Sequence, residues 1–328
     1  MFNWFSQKTK QKTKQETKKA SSEPAHQPAS TADQPQASTD TTAQDSPAET
    51  AAAEPVSYAF QQVRHVILVA SGKGGVGKST TAVNLATALA AEGAKTGLLD
   101  ADIYGPSIPM MLGLTQSQAA SGDGKTMQPQ QAAGLSVQSI GFLVSPDKAT
   151  VWRGPMASQA LLQLIHETNW PELDYLIVDM PPGTGDIQLT LSQKLAVTGA
   201  VIVTTPQDVA LSDAQKAILM FNQVQIPVLG LVENMSYYQC SACGHQEAIF
   251  GSDGGVELAA RYQLPVLAQL PLQKRLRECS DQGKPLLLSD DPADDALCVL
   301  YQQMAQQLMQ QVQQVTTASA LEIVFSDD

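Results

Sequence analysis

Cysteine is scarce in this sequence, and long hydrophobic runs are missing. The chain has four cysteines in 328 residues, and none of them precedes Cys240. So few cysteines do not make the disulfide framework of a secreted protein. No apolar run approaches the roughly 18 residues that cross a membrane, and no apolar core follows the first lysines as in a secretory signal. These absences argue against membrane-spanning and secreted classes and predict a cytoplasmic protein.

Basic residues are outnumbered as well. The sequence has 20 lysines and arginines against 32 aspartates and glutamates, a formal net charge of −12. Nucleic acids and anionic membranes bind basic surfaces, so we expect no nucleic-acid partner and no stable membrane association. The local exception is residues 1–19, in which six lysines follow a short aromatic start. We interpret this segment as a solvated tail, with weak membrane contact as the alternative.

Composition divides the chain into a tail and a domain. Residues 1–58 are rich in Gln, Ala, Thr, Ser and Pro, which predicts a disordered low-complexity tail. Residues 59–328 alternate apolar runs with amphipathic stretches, which predicts an α/β fold with a mainly parallel β-sheet and helices on both faces. Within them, residues 115–134 are polar and predict a loop or a weak hairpin. The predicted strands are 65–70, 96–100, 135–140, 174–180, 200–205, 227–233 and 265–270, and the predicted helices are 79–92, 156–168, 208–223, 254–262 and about 292–315.

The most specific motif is GKGGVGKST at 72–80. It lies between a predicted strand and a predicted helix, which is the context of a phosphate-binding P-loop. Its glycines let backbone N–H groups approach the phosphates closely. Lys78 is expected to contact the β- and γ-phosphates, and the Ser79 hydroxyl to help hold Mg²⁺. The predicted nucleotide-binding residues are Gly72, Lys73, Gly74, Gly75, Val76, Gly77, Lys78, Ser79 and Thr80.

A second lysine, Lys73, follows the first glycine of this motif. Ordinary P-loops do not require it, and with it the sequence resembles the deviant P-loop ATPases, the class of MinD, ParA and the nitrogenase iron protein. In that class the early lysine reaches across a dimer to the nucleotide of the partner. The resemblance therefore implies an ATP-dependent homodimer in which Lys73 and Lys78 both act in catalysis.

Two further motifs place carboxylates at the ends of predicted strands, where open α/β sheets bind ligands. They are DADIYGPSIP at 100–109 and DMPPGTGD at 179–186. By resemblance to the same class, Asp102 would position the attacking water, since phosphoryl transfer depends mainly on positioning and charge stabilisation. The resemblance also implies a magnesium site at Ser79, Asp100 and Asp179, a γ-phosphate contact at Gly183 and an adenine contact at Asn234.

Cys240 and Cys243 form one C-x-x-C pair in a predicted inserted loop at about 236–250. The pair alone is ambiguous, because a structural zinc site or an iron–sulfur cluster takes four protein ligands. His245 is a candidate third ligand, and a redox-active cysteine pair is another interpretation. Two chains of the implied homodimer would together supply four thiolates around the two-fold axis.

Taken together, residues 62–315 resemble the Mrp family, the ATPase carriers of iron–sulfur clusters also called ApbC-type proteins. The motifs above carry the resemblance, together with WRGPM at 152–156 and VENMSY with CSACG at 232–244. It implies that Cys240 and Cys243 of two protomers share one 4Fe-4S cluster. It also implies ATP and Mg²⁺ as cofactors, slow ATP hydrolysis, and apo iron–sulfur proteins as recipients of the cluster.

Two other functions remain open from the sequence. A zinc-clasped ATPase dimer would use the same cysteines as a structural staple, because zinc also binds thiolates. A positioning ATPase of the MinD or ParA kind would act on a membrane or on DNA, and the missing basic surface counts against it.

Overall fold

A mainly parallel β-sheet forms the centre of the structure, as the alternating apolar runs predict. The computed structural model describes residues 62–119, 121, 125–143 and 154–321, and the sheet within these residues has nine strands. The predicted tail at 1–58 and the first two residues of the WRGPM motif lie outside the described residues. The strands are β1 (Val63–Ala70), β2 (Thr96–Asp100), β3 (Gln130–Ala132), β4 (Leu135–Ser139), β5 (Leu173–Asp179), β6 (Gly199–Thr204), β7 (Val228–Gln239), β8 (Gln246–Glu247) and β9 (Val266–Leu272).

Strand β1 lies in the middle of the sheet, with β5 on one side and β6 on the other, both parallel to it. Beyond β5 the order continues with β2, β4 and β3, and beyond β6 it continues with β7. Strand β9 pairs with β7 in parallel, whereas β3 on β4 and β8 on β7 are antiparallel. The carboxyl ends of the parallel strands share one edge of the sheet, so the loops that follow them meet there.

Helices cover both faces of the sheet because the central strands carry apolar side chains on both sides. Ile67 and Val69 of β1 belong to one apolar cluster, and Val66 and Leu68 belong to the other. This alternation is the period of two expected of a strand. The helices are α1 (Lys78–Ala91), α2 (Ile108–Met111), α3 (Gly154–Glu167), α4 (Asp186–Lys194), α5 (Asp208–Gln223), α6 (Gly254–Arg261), α7 (Lys274–Asp281) and α8 (Asp295–Leu321).

Several elements differ from the sequence-based prediction. Strand β7 continues past residue 233 to Gln239, so the segment predicted as an inserted loop begins as a strand and forms a hairpin with β8. Part of the polar stretch 115–134 forms β3, which pairs antiparallel with β4 and so agrees with the hairpin alternative of the prediction. Helix α8 runs to Leu321 instead of ending near residue 315. None of the helices in the described part of the chain combines the length and the hydropathy needed to cross a membrane.

Candidate functional site

The P-loop joins β1 to α1 at the carboxyl edge of the sheet. Gly77 has φ 84°, and a Cβ there would lie 2.1 Å from Nδ2 of Asn234. A Cβ at Gly72 would lie 2.1 Å from the backbone of Asp213, because α5 passes directly beside the loop. Glycine at both positions therefore lets the loop pack against its neighbours. Helix α1 begins at Lys78, so the positive end of the helix dipole faces the P-loop.

Lys78, which follows β1, contacts carboxylates at the ends of two further strands, β2 and β5. Its side chain is 6% exposed, and its Nζ lies 2.5 Å from Oδ1 of Asp179 and 3.5 Å from Oδ2 of Asp102. The same Nζ lies 3.4 Å from Oγ of Ser79. In this arrangement the lysine is neutralised by carboxylates at the ends of β2 and β5. A bound polyphosphate would compete for the same ammonium group.

Asp100 ends β2 and is fully buried. Its Oδ1 accepts from the N–H of Asp102 at 3.1 Å, and its Oδ2 accepts from the N–H of Ile108 at 3.2 Å and from Oγ of Ser139 at 3.1 Å. Burial, reinforced by the charge of Asp179, raises the pKa of Asp100 to about 8. The carboxyl group is therefore largely protonated near neutral pH when no cation is beside it.

Asp179 ends β5 and carries an orphaned oxygen. Its Oδ2 is buried and has no hydrogen-bond partner, although Oδ1 is paired with Lys78. Burial raises the pKa of Asp179, and the neighbouring ammonium of Lys78 opposes that shift. An unpartnered buried carboxylate oxygen beside a serine hydroxyl suits a hard cation, which prefers oxygen ligands. Ser79 and Asp179 therefore fit Mg²⁺, and Asp100, whose two oxygens already accept hydrogen bonds, would help to order its surroundings.

The loop after β5 is bonded to the P-loop in this structure. The N–H of Gly183 donates to the carbonyl of Ser71 at 2.9 Å, and the Gln188 side chain donates to the carbonyls of Pro181 and Pro182 at 3.2 and 2.6 Å. The predicted γ-phosphate contact of Gly183 thus requires that its bond to Ser71 open. The sequence motif did not reveal this bond.

Asn234 lies under the P-loop at the end of the buried part of β7. Its Nδ2 donates to the carbonyl of Val76 at 2.8 Å. Next to it is a cavity of about 340 Å³, which we call the edge cavity. Its walls come from the start of α1, from α2, from the ends of β7 and β9, and from α7. The lining includes Gly77, Thr80, Met110, Asn234, Pro271 and Gln273.

Of these lining residues, only those already in a motif were found from the sequence. Met110 and Pro271 have no motif spacing, and no pattern linked α2 or the end of β9 to the P-loop. A proline directly after an apolar strand was the one available signal. The signal is too general to assign a pocket.

Lys73 is half-buried in the P-loop, and the carbonyl of the same residue accepts from Oγ of Ser71 at 2.9 Å. Across the described ranges, no ion pair involves the Lys73 side chain. The structure therefore leaves its ammonium group available to a ligand or a second chain.

The cysteine pair lies at the tip of the hairpin formed by β7 and β8. The N–H of Cys240 donates to the carbonyl of His245, and the N–H of Gly244 donates to the carbonyl of Cys240, both at 2.9 Å. Cys240 is half-buried, Cys243 is exposed, and both thiols are free. Hydrogen bonds from the backbone N–H groups of Ala242 and Cys243 lower the pKa of Cys240. A tight turn whose N–H groups point at sulfur favours a thiolate and hence metal binding.

One chain supplies too few ligands for a closed metal site. Where the structure describes the chain, no group of three or more His, Cys, Asp or Glu side chains could hold a metal ion. His245 is therefore not brought together with the two thiols as a third ligand. Cys279 is buried and Cys298 half-buried, and burial raises the pKa of both thiols. The exposed pair on the hairpin is the part of the chain suited to a soft metal or cluster.

A protein family and several known proteins match most of this chain. A family model described as ParA, the NUBPL iron-transfer P-loop NTPase, matches residues 62–309. The iron-sulfur cluster carrier protein of Escherichia coli strain K12 is 58% identical over 250 residues, which are 76% of this chain and 67% of that protein. The iron-sulfur cluster transfer protein NUBPL of Mus musculus is 51% identical over 249 residues, 75% of this chain and 78% of that protein.

A solved structure gives the same result for the fold. A nucleotide-binding protein of Archaeoglobus fulgidus in complex with ADP superimposes with a TM-score of 0.62 and 38% identity. The match covers 72% of this chain and 92% of that one.

Proposed function

This chain belongs to the NUBPL iron-transfer family of P-loop NTPases, and from that membership we propose that it carries an iron–sulfur cluster as cargo and delivers it to apo-proteins. The observation that carries the proposal is the pair of half-buried Cys240 and exposed Cys243 at the tip of a hairpin stabilised by backbone hydrogen bonds. A cluster that is to be passed on must be reachable by the recipient. Two free thiols at a hairpin tip, one of them exposed, meet that requirement.

The cargo proposed is one 4Fe-4S cluster shared by two copies of the chain. Each copy offers two thiolates, and a 4Fe-4S cluster takes four. A homodimer with Cys240 and Cys243 of both protomers around its two-fold axis would complete the set. A cluster held between subunits is also easier to release than one enclosed by a single chain, which suits a carrier.

The P-loop is proposed to bind and slowly hydrolyse ATP. Lys78 would leave its carboxylate partners and contact the phosphates, and the phosphate charge would replace theirs. Ser79 and Asp179 would hold Mg²⁺, which supplies charge neutralisation at the phosphates when bound, and Asp100 would help to order the surroundings of the ion. Asp102 would orient the water whose oxygen bonds to the γ-phosphorus while the bond to the bridging oxygen breaks. Lys73 would reach the nucleotide of the partner copy.

The edge cavity is proposed to take the adenosine. Asn234 donates to Val76 through Nδ2, which leaves Oδ1 to accept from the adenine amino group. The cavity lies next to Gly77 and Thr80, so a base placed there is continuous with phosphates on the P-loop.

The proposal is tested by anaerobic reconstitution with iron and sulfide. We expect a visible charge-transfer band and about four irons per dimer, and transfer of that iron to an apo 4Fe-4S ferredoxin. The double variant Cys240→Ala with Cys243→Ala should lose the band, whereas the matched control Cys279→Ala with Cys298→Ala should keep it. Zinc held tightly by the wild-type protein, with no coloured cluster, would instead mean that the cysteines are a structural clasp.

A further inference from the structure

Strand β7 connects the P-loop directly to the cysteine hairpin. Asn234 of β7 bonds to the carbonyl of Val76 in the P-loop, and Cys240 follows six positions later along the same chain. The residues between Asn234 and Cys240 are therefore candidates to connect the nucleotide site with the cargo site.

These intervening residues form a bulge. Asn234 pairs with Leu270 of β9, and the next paired residue, Tyr238, faces Leu272. Residues 235–237 thus lie opposite one residue of β9, and Met235 adopts a left-handed φ of 56°. A bulge is a local departure from ladder hydrogen bonding that bends a strand and re-aims the side chains beyond it. Here it re-aims β7 from the sheet edge toward the hairpin.

Glu233 anchors the bulge from inside the protein. Its side chain is fully buried, and its Oε1 accepts from Oγ of Ser236 at 2.8 Å and from Nε2 of Gln269 at 3.0 Å. Its Oε2 accepts from the N–H of Gly255 at 2.5 Å, at the start of α6. Within the described residues no cation pairs with this carboxylate, so its burial depends on these hydrogen bonds. It ties β7, β9 and α6 together at the root of the bulge.

A second contact joins the far end of the bulge to the edge cavity. Nε2 of Gln273 donates to Oε1 of Gln239, the residue that precedes Cys240. Gln273 also lines the edge cavity together with Asn234 and Met235. The cavity wall and the stem of the hairpin therefore share side chains at both ends of the bulge.

We propose that the bulge at residues 235–237 couples the edge cavity to the cysteine hairpin, with Glu233 and Gln239 as its positioning residues. The inference rests on the proposed function, because it assigns the nucleotide to the cavity and the cargo to Cys240 and Cys243. Occupation of the cavity displaces Met235 and Gln273, and Glu233 turns that displacement into a shift of the strand beyond it. Neither Glu233 nor Gln239 is among the residues proposed to bind phosphate or cargo.

The test is hydrogen exchange of the hairpin in the full-length, cluster-free protein. Exchange of the amides in residues 236–248 is measured with and without a saturating non-hydrolysable ATP analogue and Mg²⁺. We expect the nucleotide to change the exchange rate of these amides by about fivefold or more in the wild-type protein, the lower end of typical coupling between sites. The ratio of the two rates is the readout, since a purely structural defect would alter both rates together.

Two variants and one control locate the coupling. Glu233→Gln replaces one carboxylate oxygen with an NH₂ group, which would face the hydrogen-bond donors that surround Glu233. The variant should bring the ratio of the two exchange rates close to one, with nucleotide affinity changed by less than about threefold. Gln239→Leu removes the hydrogen bond to Gln273 at a half-buried position. This variant is measured instead if Glu233→Gln does not fold. Glu257→Gln changes an exposed glutamate of α6 and should leave the ratio at its wild-type value.

The outcomes separate this proposal from the one on which it rests. A wild-type ratio of one, or an unchanged ratio in the folded variants, overturns the coupling even if the protein reconstitutes and transfers its cluster. Failure to reconstitute a cluster, by contrast, overturns the proposed function whatever the ratio. A ratio lost in both variants and kept in the control supports the bulge as the coupling element.

Discussion

At the scale of single residues, Lys78 and its carboxylates explain how the nucleotide site stays folded without its ligand. A buried lysine and a buried aspartate are each costly alone, and pairing Nζ with Asp179 at 2.5 Å offsets much of that cost. The pairing also means that the site is electrically balanced before the nucleotide arrives. The proposed phosphate binding would therefore be an exchange of partners at Lys78, and we expect a substitution there to act on both stability and binding.

The first prediction concerns Lys78→Ala. The variant should lose ATP affinity by on the order of 100-fold or more, because a charge-assisted contact to the phosphates is gone. It should also unfold about 3 kcal/mol more easily, because Asp179 is left buried without its cation. Nucleotide titration and urea denaturation measure the two effects, and cluster reconstitution at the cysteines should persist.

Lys73→Ala is the matched control for that variant. Lys73 is half-buried and lacks an ion pair in the described part of the chain, so its loss should change the free energy of unfolding by less than about 0.5 kcal/mol. ATP binding should remain, whereas hydrolysis should fall because the proposed contact to the partner's nucleotide is missing. Loss of stability in Lys73→Ala equal to that in Lys78→Ala would contradict the assigned roles.

The second prediction concerns pH and Asp100. Its pKa is raised from 3.8 to about 8 by burial, so the folded state binds its proton more tightly than the unfolded state. The resulting stabilisation is complete below about pH 4 and is lost as pH rises toward and through about pH 8. Denaturant titrations of the nucleotide-free protein should show this decline, with a slope on the order of 1 kcal/mol per pH unit.

Asp100→Asn and Mg²⁺ provide the two checks on that decline. The asparagine cannot titrate, so the variant should show a shallower fall in stability over the same pH range. Mg²⁺ with nucleotide favours the ionised carboxyl group and should flatten the wild-type profile. An identical pH slope in the wild-type protein and in Asp100→Asn would show that another group is responsible.

How far the sequence predicts single residues depends on whether a motif constrains them. Lys78, Asp102 and Asp179 were predicted together because each motif ends a strand, and the structure brings their charged groups within 3.5 Å. The bond from Gly183 to Ser71 and the burial of Glu233 were not predicted. Both depend on which neighbour lies across the sheet, and local spacing does not encode that information.

At the scale of secondary-structure elements, α7 forms one wall of the edge cavity, and tertiary contacts hold this helix in place. Nε of Arg275 lies 3.0 Å from both carboxylate oxygens of Asp294, and Nη2 of the same arginine lies 3.2 Å from Oγ of Ser289. Asp294 is 1% exposed. The helix itself has only two buried side chains, Leu276 and Cys279. The arginine therefore contributes much of what fixes α7 against the turn before α8.

The third prediction concerns Arg275→Ala. Removal of the guanidinium leaves Asp294 buried without its partner, which should lower the free energy of unfolding by about 1–2 kcal/mol. The loss of stability is expected to be modest for a buried charge without its partner, because Arg275 is itself 36% exposed and water screens the pair. Nucleotide affinity should fall a few-fold, because α7 lines the cavity. Urea denaturation and nucleotide titration are the measurements.

Arg277→Ala is the control within the same helix. Arg277 is 62% exposed and pairs only with exposed or half-buried carboxylates of α7 itself. Such surface pairs contribute about 0–1 kcal/mol. If Arg277→Ala were as destabilising as Arg275→Ala, the assigned clamp between Arg275 and Asp294 would be wrong.

Elements with a strong apolar period were predicted from the sequence, and elements without one were missed. The predicted helix at 208–223 coincides with α5, and the strand at 96–100 coincides with β2. Helix α7 was missed because its eight residues contain only one aliphatic side chain, Leu276. Strand β8 is two exposed residues whose strand conformation depends on pairing with β7. Tertiary contacts, which the local sequence does not show, decide such elements.

At the scale of the whole molecule, one chain presents parts of sites that it does not complete. The hairpin cysteine pair would supply two of the four ligands that a cluster takes. Lys73 has no acidic partner among the described residues. Lys73 and Cys240 are half-buried, and Cys243 is exposed. A second copy of the chain would supply the missing ligands and the nucleotide that Lys73 is proposed to reach.

The overall architecture followed from the sequence more fully than the assembly did. Alternating apolar runs with β-branched residues predicted a mainly parallel sheet, and the two apolar clusters on its faces confirm it. An interface between two copies of a chain leaves no periodic pattern in the sequence of that chain. In the sequence, Lys73 by resemblance and the shortage of ligands at Cys240 and Cys243 are what favour the proposed second chain.

The most direct test of the central claim is native mass spectrometry of the anaerobically reconstituted protein. The account predicts a mass equal to two chains plus one 4Fe-4S cluster. It further predicts that the species with one cluster and two chains is absent from the Cys240→Ala, Cys243→Ala double variant. A cluster retained on a single chain, or a dimer that carries zinc and no cluster, would contradict it.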